Sequence, residues 1–91
     1  MSKWIKVQNF ENIIMFCENP YFLVRFEKHL PSRLYKILCL RHGLNCKKMS
    51  FNEIVRYIKP LDKNKNLLSA RHIAKLYYQS LDRIKKIIEN D

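Results

Sequence analysis

Residues 69–90 carry the longest continuous helical pattern in this chain, with apolar residues recurring every three or four positions. One side of the pattern contains Ile73, Leu76, Tyr77, Leu81, Ile84, Ile87 and Ile88. The opposite side contains Arg71, Lys75, Tyr78, Asp82, Lys85 and Lys86. Ser69 precedes the pattern and is a favourable N-cap residue. We therefore predict one amphipathic helix of about twenty residues, roughly 30 Å long, whose apolar side packs against a core.

Two short helices are predicted before residue 31. Asn9 is a candidate N-cap for the first, which must end near Asn19 because Pro20 follows. The same pair can begin the second helix, with Asn19 as its N-cap and Pro20 at its first helical position. We predict the second helix over residues 21–30, although the segment 22–24 is also compatible with a strand on composition.

Two further helices are predicted in the middle of the chain. Apolar residues occupy most of the circumference of a helix over residues 32–42, which indicates a central, buried element. Gly43, the only glycine, stands where a left-handed C-cap is expected. The fourth helix begins with a capping box formed by Ser50 and Glu53, and Pro60 ends it.

Length and composition favour an all-α fold. The 91 residues suit one domain, covering residues 1–91, and the 47% apolar content is enough to form a core. One Gly and three Pro are too few turn residues for a protein of many short strands. We expect a compact bundle of about five helices.

The charge is large and unevenly distributed. The chain has a formal net charge of +10, from 18 basic and eight acidic residues. Residues 1–30 hold four Lys or Arg and three Glu, a net of +1, so residues 31–91 hold the remaining +9. A concentrated positive field attracts polyanions, which favours a nucleic-acid partner. The alternative is a lysine-rich surface that only maintains solubility.

Candidate nucleic-acid contacts lie on the last helix and on two basic loops. The free amides and dipole at the start of that helix favour an anion, and its first side chains are placed for a major groove. The predicted contact residues are Lys47, Lys48, Lys63, Lys65, Arg71, His72, Lys75, Tyr78, Lys85 and Lys86. The aromatic Tyr78 beside cations is also suitable for stacking on a single strand. The alternative is a solvated helix on which Asp82 and Lys86 form an ordinary ion pair.

The order of helices over residues 32–90 resembles the winged-helix superfamily. The resemblance rests on an apolar helix, the capped segment 50–58 (SFNEIVRYI) and the helix start at 68–75 (LSARHIAK). It implies a scaffold helix, a supporting helix and a last helix offered to DNA. Two features differ: the connection over residues 60–68 exceeds the roughly three- or four-residue turn of a helix-turn-helix, and the sequence ends without a hairpin for a C-terminal wing.

The cysteines indicate a reducing environment. Cys17, Cys39 and Cys46 are odd in number and irregularly spaced, so no disulfide framework is expected and a cytoplasmic location is predicted. Cys39, His42 and Cys46 form a weak zinc pattern, for which Cys17 or His29 is a possible fourth ligand. A free cysteine in a leucine-rich helix usually packs as a small apolar residue, so we expect no metal or other cofactor.

No enzymatic motif is present in the sequence. It has no Gly-rich phosphate loop, no nucleophile motif and no carboxylate cluster for a divalent metal, so we do not expect an enzyme.

The start lacks the long apolar core of a signal peptide. The longest apolar runs, such as residues 13–17, are far short of the roughly twenty residues that span a bilayer.

Three functions remain open at this stage. The first is a DNA-binding transcription regulator or architectural protein, with double-stranded DNA as the favoured partner. A homodimer joined through Trp4–Val7 and Ile84–Ile88 is one form of this hypothesis. The second is a basic accessory subunit that docks on a larger nucleic-acid enzyme such as a DNA polymerase. The third is a helix on an anionic membrane surface, which ranks last because the core needs the apolar stripe of the last helix.

Overall fold

A computed structural model of the chain describes residues 11–58 and 69–90. These residues form five helices: α1 (Glu11–Cys17), α2 (Pro20–Val24), α3 (Ser32–His42), α4 (Phe51–Ile58) and α5 (Ala70–Glu89). No strand occurs within the two described ranges. The predicted all-α class and the helical-bundle architecture are confirmed.

The bundle is organised around α5, which contacts α1, α3 and α4. Its predicted apolar side faces the core, where Ile73, Leu81 and Ile84 are completely buried. The Ser69 hydroxyl oxygen accepts a hydrogen bond from the backbone N–H of His72 at 3.1 Å, so the predicted N-cap is also present. The prediction of one twenty-residue helix with one buried side is confirmed.

The helix α3 is buried around most of its circumference, as its sequence predicts. Its buried apolar residues are Leu34, Ile37, Leu38 and Leu40. Gly43 ends the helix at a φ of 74°, a left-handed conformation, and its N–H donates to the carbonyl of Cys39. A Cβ at Gly43 would lie 2.9 Å from Cγ of Lys48 and 3.0 Å from the carbonyl oxygen of Cys46, so space as well as backbone conformation favours glycine.

The start of α4 shows the predicted capping box. The backbone N–H of Ser50 donates to a carboxylate oxygen of Glu53 at 2.9 Å, and the N–H of Glu53 donates to the Ser50 hydroxyl at 3.2 Å. Two free amides at the helix start are thereby satisfied. The helix buries Ile54 and Ile58 against α3 and α5.

The helix α2 is shorter than the sequence pattern predicts. Its start is as expected, because Asn19 accepts a hydrogen bond from the Tyr21 N–H and Pro20 occupies the first turn. It ends at Val24, however, and tight turns with i→i+3 hydrogen bonds follow. These turns still bury Phe26 and Leu30, although the intervening polar residues remain exposed. The prediction of a helix over residues 21–30 was therefore wrong in length.

Two isoleucines that we predicted for a dimer interface are buried in the fold. Ile84 and Ile88 belong to the core, with 0% and 5% of their surface exposed. They pack inside the bundle and are not available to build the proposed dimer seam, so that prediction was wrong at Ile84–Ile88. The error arose because an apolar stripe near a chain end was interpreted as an exposed edge.

Several other predictions fall outside the described residues. They are the Trp4–Val7 half of the dimer seam, the Asn9 cap, the termination at Pro60, and the contact residues Lys63 and Lys65. These positions remain predictions from the sequence.

Candidate nucleic-acid interface and adjoining pocket

The outward side of α5 carries a row of cationic side chains, which we call the cationic face: Arg71, Lys75, Arg83, Lys85 and Lys86. All are exposed except Lys85, which is half-buried. The row follows from the helical repeat, since Arg71, Lys75 and Lys86 are four and eleven positions apart and project to the same side. Its first and last members are fifteen positions apart, so the row extends over roughly 22 Å.

Part of the cationic face lines a shallow open groove. The groove residues are Lys75, Tyr78, Gln79, Asp82, Arg83 and Lys86. We did not predict Arg83 and Gln79 as contact residues. Their spacing from Lys75 and Tyr78 along the helix places them on the same surface, so the helical repeat could have identified them. The predicted Lys75, Tyr78 and Lys86 do share this surface, whereas His72 is exposed near the start of the helix.

An ion pair crosses the groove surface. Lys86 Nζ lies 3.1 Å from a carboxylate oxygen of Asp82, one turn earlier, as the sequence predicts. The Lys86 side chain is 70% exposed and the Asp82 side chain 46% exposed. An exposed i,i+4 pair contributes only about 0.3–0.5 kcal/mol, so an incoming phosphate can compete for the lysine at little cost.

The two predicted lysines after α3 lie in different environments. Lys47 is exposed. Lys48 is also exposed, but its ammonium group donates to one carboxylate oxygen of Glu18. The pair joins the end of α1 to the α3–α4 connection, and Lys48 therefore has a structural partner that the sequence did not reveal.

Glu18 also belongs to a polar network with His42 and Tyr77, whose side chains are buried. His42 Nδ1 lies 2.6 Å from the second carboxylate oxygen of Glu18, and His42 Nε2 lies 2.7 Å from the Tyr77 hydroxyl oxygen. A carboxylate only accepts, so Nδ1 carries the proton and donates to Glu18. The Tyr77 hydroxyl then donates to Nε2 of a neutral imidazole. The network ties α5 to α3 and to the end of α1.

The environment of the network shifts the pKa of each member. Burial is the main cause that lowers the pKa of His42 below its ordinary value of 6.5, against the opposing effect of the Glu18 carboxylate. Hydrogen bonds from His42 and then Lys48 lower the pKa of Glu18 below 4.5. Burial raises the pKa of the Tyr77 hydroxyl. The network is therefore stable as a carboxylate, a neutral imidazole and a neutral phenol.

A solvent-accessible pocket opens above this network, between α1, the α3–α4 connection and α5; we call it the network pocket. Its volume is about 480 Å³, and Glu18, His42 and Tyr77 line it. Met15 and Tyr78 also line it. Tyr78 is thus shared with the groove of the cationic face.

The network also bears on the weak zinc pattern of Cys39, His42 and Cys46, because it engages both ring nitrogens of His42. Both ring nitrogens of His42 are hydrogen-bonded to Glu18 and Tyr77, not directed to Cys39 or Cys46. Within residues 11–58 and 69–90 no group of three or more potential metal ligands occurs. The three cysteines in these ranges are free thiols.

The network predicts that stability decreases in mild acid. His42 has a lower pKa in the folded than in the unfolded chain, so its contribution is complete above about pH 6.5 and is lost as the pH falls through the folded pKa. Glu18 acts in the same direction below about pH 4.5. We expect urea midpoints to decrease from pH 7.5 to pH 5, measured by circular dichroism at constant ionic strength. A midpoint that is constant or increases over this interval would contradict the assignment of a neutral His42.

The described helices and surfaces define an all-α domain with one cationic helix beside a polar pocket. No protein-family model, curated protein or solved structure matches this chain. None of the helices in the described part of the chain has the length and apolarity required to cross a membrane.

Proposed function

We propose that this protein binds nucleic acid, with double-stranded DNA as the favoured partner, through the cationic face of α5. The observation that carries the proposal is a long helix with its apolar side in the core and its cationic side in solvent. Such a surface attracts phosphates over roughly 22 Å without requiring the helix to move. A transcription regulator or an architectural protein is the biological role that we infer for it.

The distribution of charge supports this function over simple solubility. Within α5, Arg71, Lys75, Arg83, Lys85 and Lys86 oppose only Asp82 and Glu89, a net charge of 5 − 2 = +3. Asp82 forms an ion pair with Lys86 on this face, and both side chains are accessible to solvent. The net positive charge of this face can attract a polyanion. Contacts between cationic side chains and phosphates supply most of the affinity of a nonspecific DNA complex.

The resemblance to a winged helix stays at the level of helix order. The helices α3, α4 and α5 contact one another in all three combinations, as a three-helix DNA-binding unit requires. The connection that would define a helix-turn-helix lies outside the described residues. We therefore base the proposal on the charge and exposure of α5 and not on a docking geometry taken from that superfamily.

Alanine substitutions at Arg71 and Lys75 test the cationic face. Each variant should bind a DNA duplex more weakly than the wild type, and each should reduce the slope of log K against log salt by about one, because one phosphate contact is lost. Both side chains are exposed, so the melting temperature should change little. Fluorescence anisotropy at several salt concentrations and thermal melts measure the two effects.

Lys28→Ala is a matched control for this experiment. Lys28 is an exposed lysine in the turns after α2, outside the cationic face, so the substitution removes the same charge from another surface. We expect a smaller loss of affinity and a smaller change in the salt slope. Equal losses in Lys28→Ala and Lys75→Ala would indicate a diffuse charge effect and would remove α5 as the specific contact surface.

A basic accessory subunit of a larger nucleic-acid enzyme, such as a DNA polymerase, is the second candidate. Its support is the exposure of three apolar side chains on α1 and α2: Met15, Tyr21 and Val24 expose 70%, 81% and 46% of their surface. Such side chains favour a protein contact when they lie close together. Negligible affinity of the isolated protein for DNA at low salt would favour this candidate over an independent DNA-binding protein.

A further inference from the structure

The network pocket adjoins the cationic face through one residue, Tyr78. Tyr78 lines the groove together with Lys75 and Lys86, and it also lines the pocket together with Met15 and Tyr77. The groove and the pocket therefore form one continuous surface across Tyr78, along which a strand bound to the cationic face can place a base at the pocket opening.

The walls of the pocket offer surfaces for a flat ring. Tyr78 exposes 44% of its surface, and Met15 exposes 70%. Aromatic rings stack on bases, and the polarizable thioether of methionine packs favourably against aromatic rings. The volume of about 480 Å³ lies in the roughly 300–1,000 Å³ range of small-molecule sites, so a single base fits.

The polar side of the pocket presents a hydrogen-bond acceptor. The Glu18 side chain is 42% exposed, and its two oxygens already accept from His42 and Lys48. A carboxylate has about four acceptor positions, so acceptor capacity remains for a donor in the pocket. Adenine, cytosine and guanine carry an exocyclic amine that donates to a carboxylate. The donor of an unpaired thymine is its ring N3–H, which is flanked by two carbonyl oxygens that a carboxylate repels, so thymine is the poorer partner for Glu18.

We propose that the network pocket binds one unpaired nucleobase bearing an exocyclic amine, stacked on Tyr78 and hydrogen-bonded to Glu18. The proposal rests on the proposed function, because the phosphates on either side of the base lie on the cationic face. Removing a base from an intact duplex costs a few kcal/mol, whereas a bulged base is already unpaired. The protein should therefore prefer DNA with a bulge over a fully paired duplex.

Three duplexes of the same sequence test this preference: one fully paired, one with a single bulged adenine and one with a single bulged thymine. Anisotropy titrations at one salt concentration should show the adenine bulge bound about tenfold more tightly than the paired duplex, the value expected for one added stacking contact. The thymine bulge should show a smaller gain. It also controls for any effect of the bend that a bulge introduces.

Substitution of Tyr78 locates the preference in the pocket. Tyr78→Ala should reduce the affinity for the adenine bulge to that for the paired duplex, whereas Tyr78→Phe, which retains the ring, should preserve the preference. Tyr21→Ala is the matched control, because Tyr21 is an exposed tyrosine on α2 that does not line the pocket. Thermal melts establish that each variant is folded, as expected for Tyr78→Ala because Tyr78 is 44% exposed.

Each outcome has a defined meaning. Equal affinity for the paired duplex and the adenine bulge would overturn the pocket proposal, as would a preference that persists in Tyr78→Ala. Equal affinities for the two bulges would overturn the hydrogen bond to Glu18. Absence of binding to all three duplexes at low salt would reject the proposed function itself, which separates the two failures.

Discussion

Leu81→Ala should decrease the free energy of unfolding by about 3–4 kcal/mol, the largest effect that we expect from a single truncation in α5. Leu81 is completely buried on the side of α5 that packs against the core. The substitution loses the transfer free energy of the removed groups and leaves a cavity that the surrounding helices can only partly close. Urea denaturation followed by circular dichroism measures the effect.

Leu76→Ala provides the same chemical change on the same helix. Leu76 is only partly buried at the edge of the core, so its truncation should cost about 1 kcal/mol. The difference between the two variants therefore reports burial and not helix propensity, which is identical for both. Similar losses at the two positions would show that α5 packs with a different side toward the core.

His42→Ala should decrease the free energy of unfolding by about 2–3 kcal/mol at neutral pH. The substitution removes a buried ring and leaves the Tyr77 hydroxyl without its acceptor. It should also flatten the dependence of stability on pH between pH 5 and 7.5, because the titrating group is absent. Urea denaturation at several pH values measures both effects.

A double-mutant cycle separates the hydrogen bond from the loss of packing. Tyr77→Phe removes only the hydroxyl group, and its effect should be smaller in the His42→Ala background, with a coupling free energy of about 0.5–2 kcal/mol. His72→Ala is the matched control, since His72 is an exposed histidine on α5 and should change stability by less than about 0.5 kcal/mol. Additive effects of the first two substitutions would exclude the hydrogen bond between these residues as a stabilising contact.

The elements that could be predicted from the sequence have local causes. The periodic apolar stripe of α5, the cap at Ser69 and the capping box at Ser50 and Glu53 each depend on residues within one or two helical turns. Gly43 at the end of α3 is similar, because a left-handed residue after a helix is a local backbone requirement. These predictions are confirmed for that reason.

The length of α2 and the burial of the terminal isoleucines depend on contacts between distant elements. A continuous helix over residues 21–30 has adequate apolar spacing, but the chain instead turns after Val24 and still buries Phe26 and Leu30. Ile84 and Ile88 produce the same apolar periodicity whether the stripe packs inside one chain or at an interface between two chains. Only the arrangement of neighbouring helices distinguishes those possibilities.

The cationic side of α5 was recognisable in the sequence because a helix with a 3.6-residue repeat places residues of fixed spacing on a known side. The network pocket was not recognisable, since His42 meets Glu18 across 24 positions and Tyr77 across 35. In the sequence, Tyr77 cannot be distinguished from the other residues of the apolar stripe. Only the structure shows that its hydroxyl group contacts the imidazole of His42. The spacing of residues along the sequence thus determined α5 and its cationic face. The network pocket was decided by the packing of α1, α3 and α5, because hydrogen bonds between residues far apart in the sequence produce no periodic pattern.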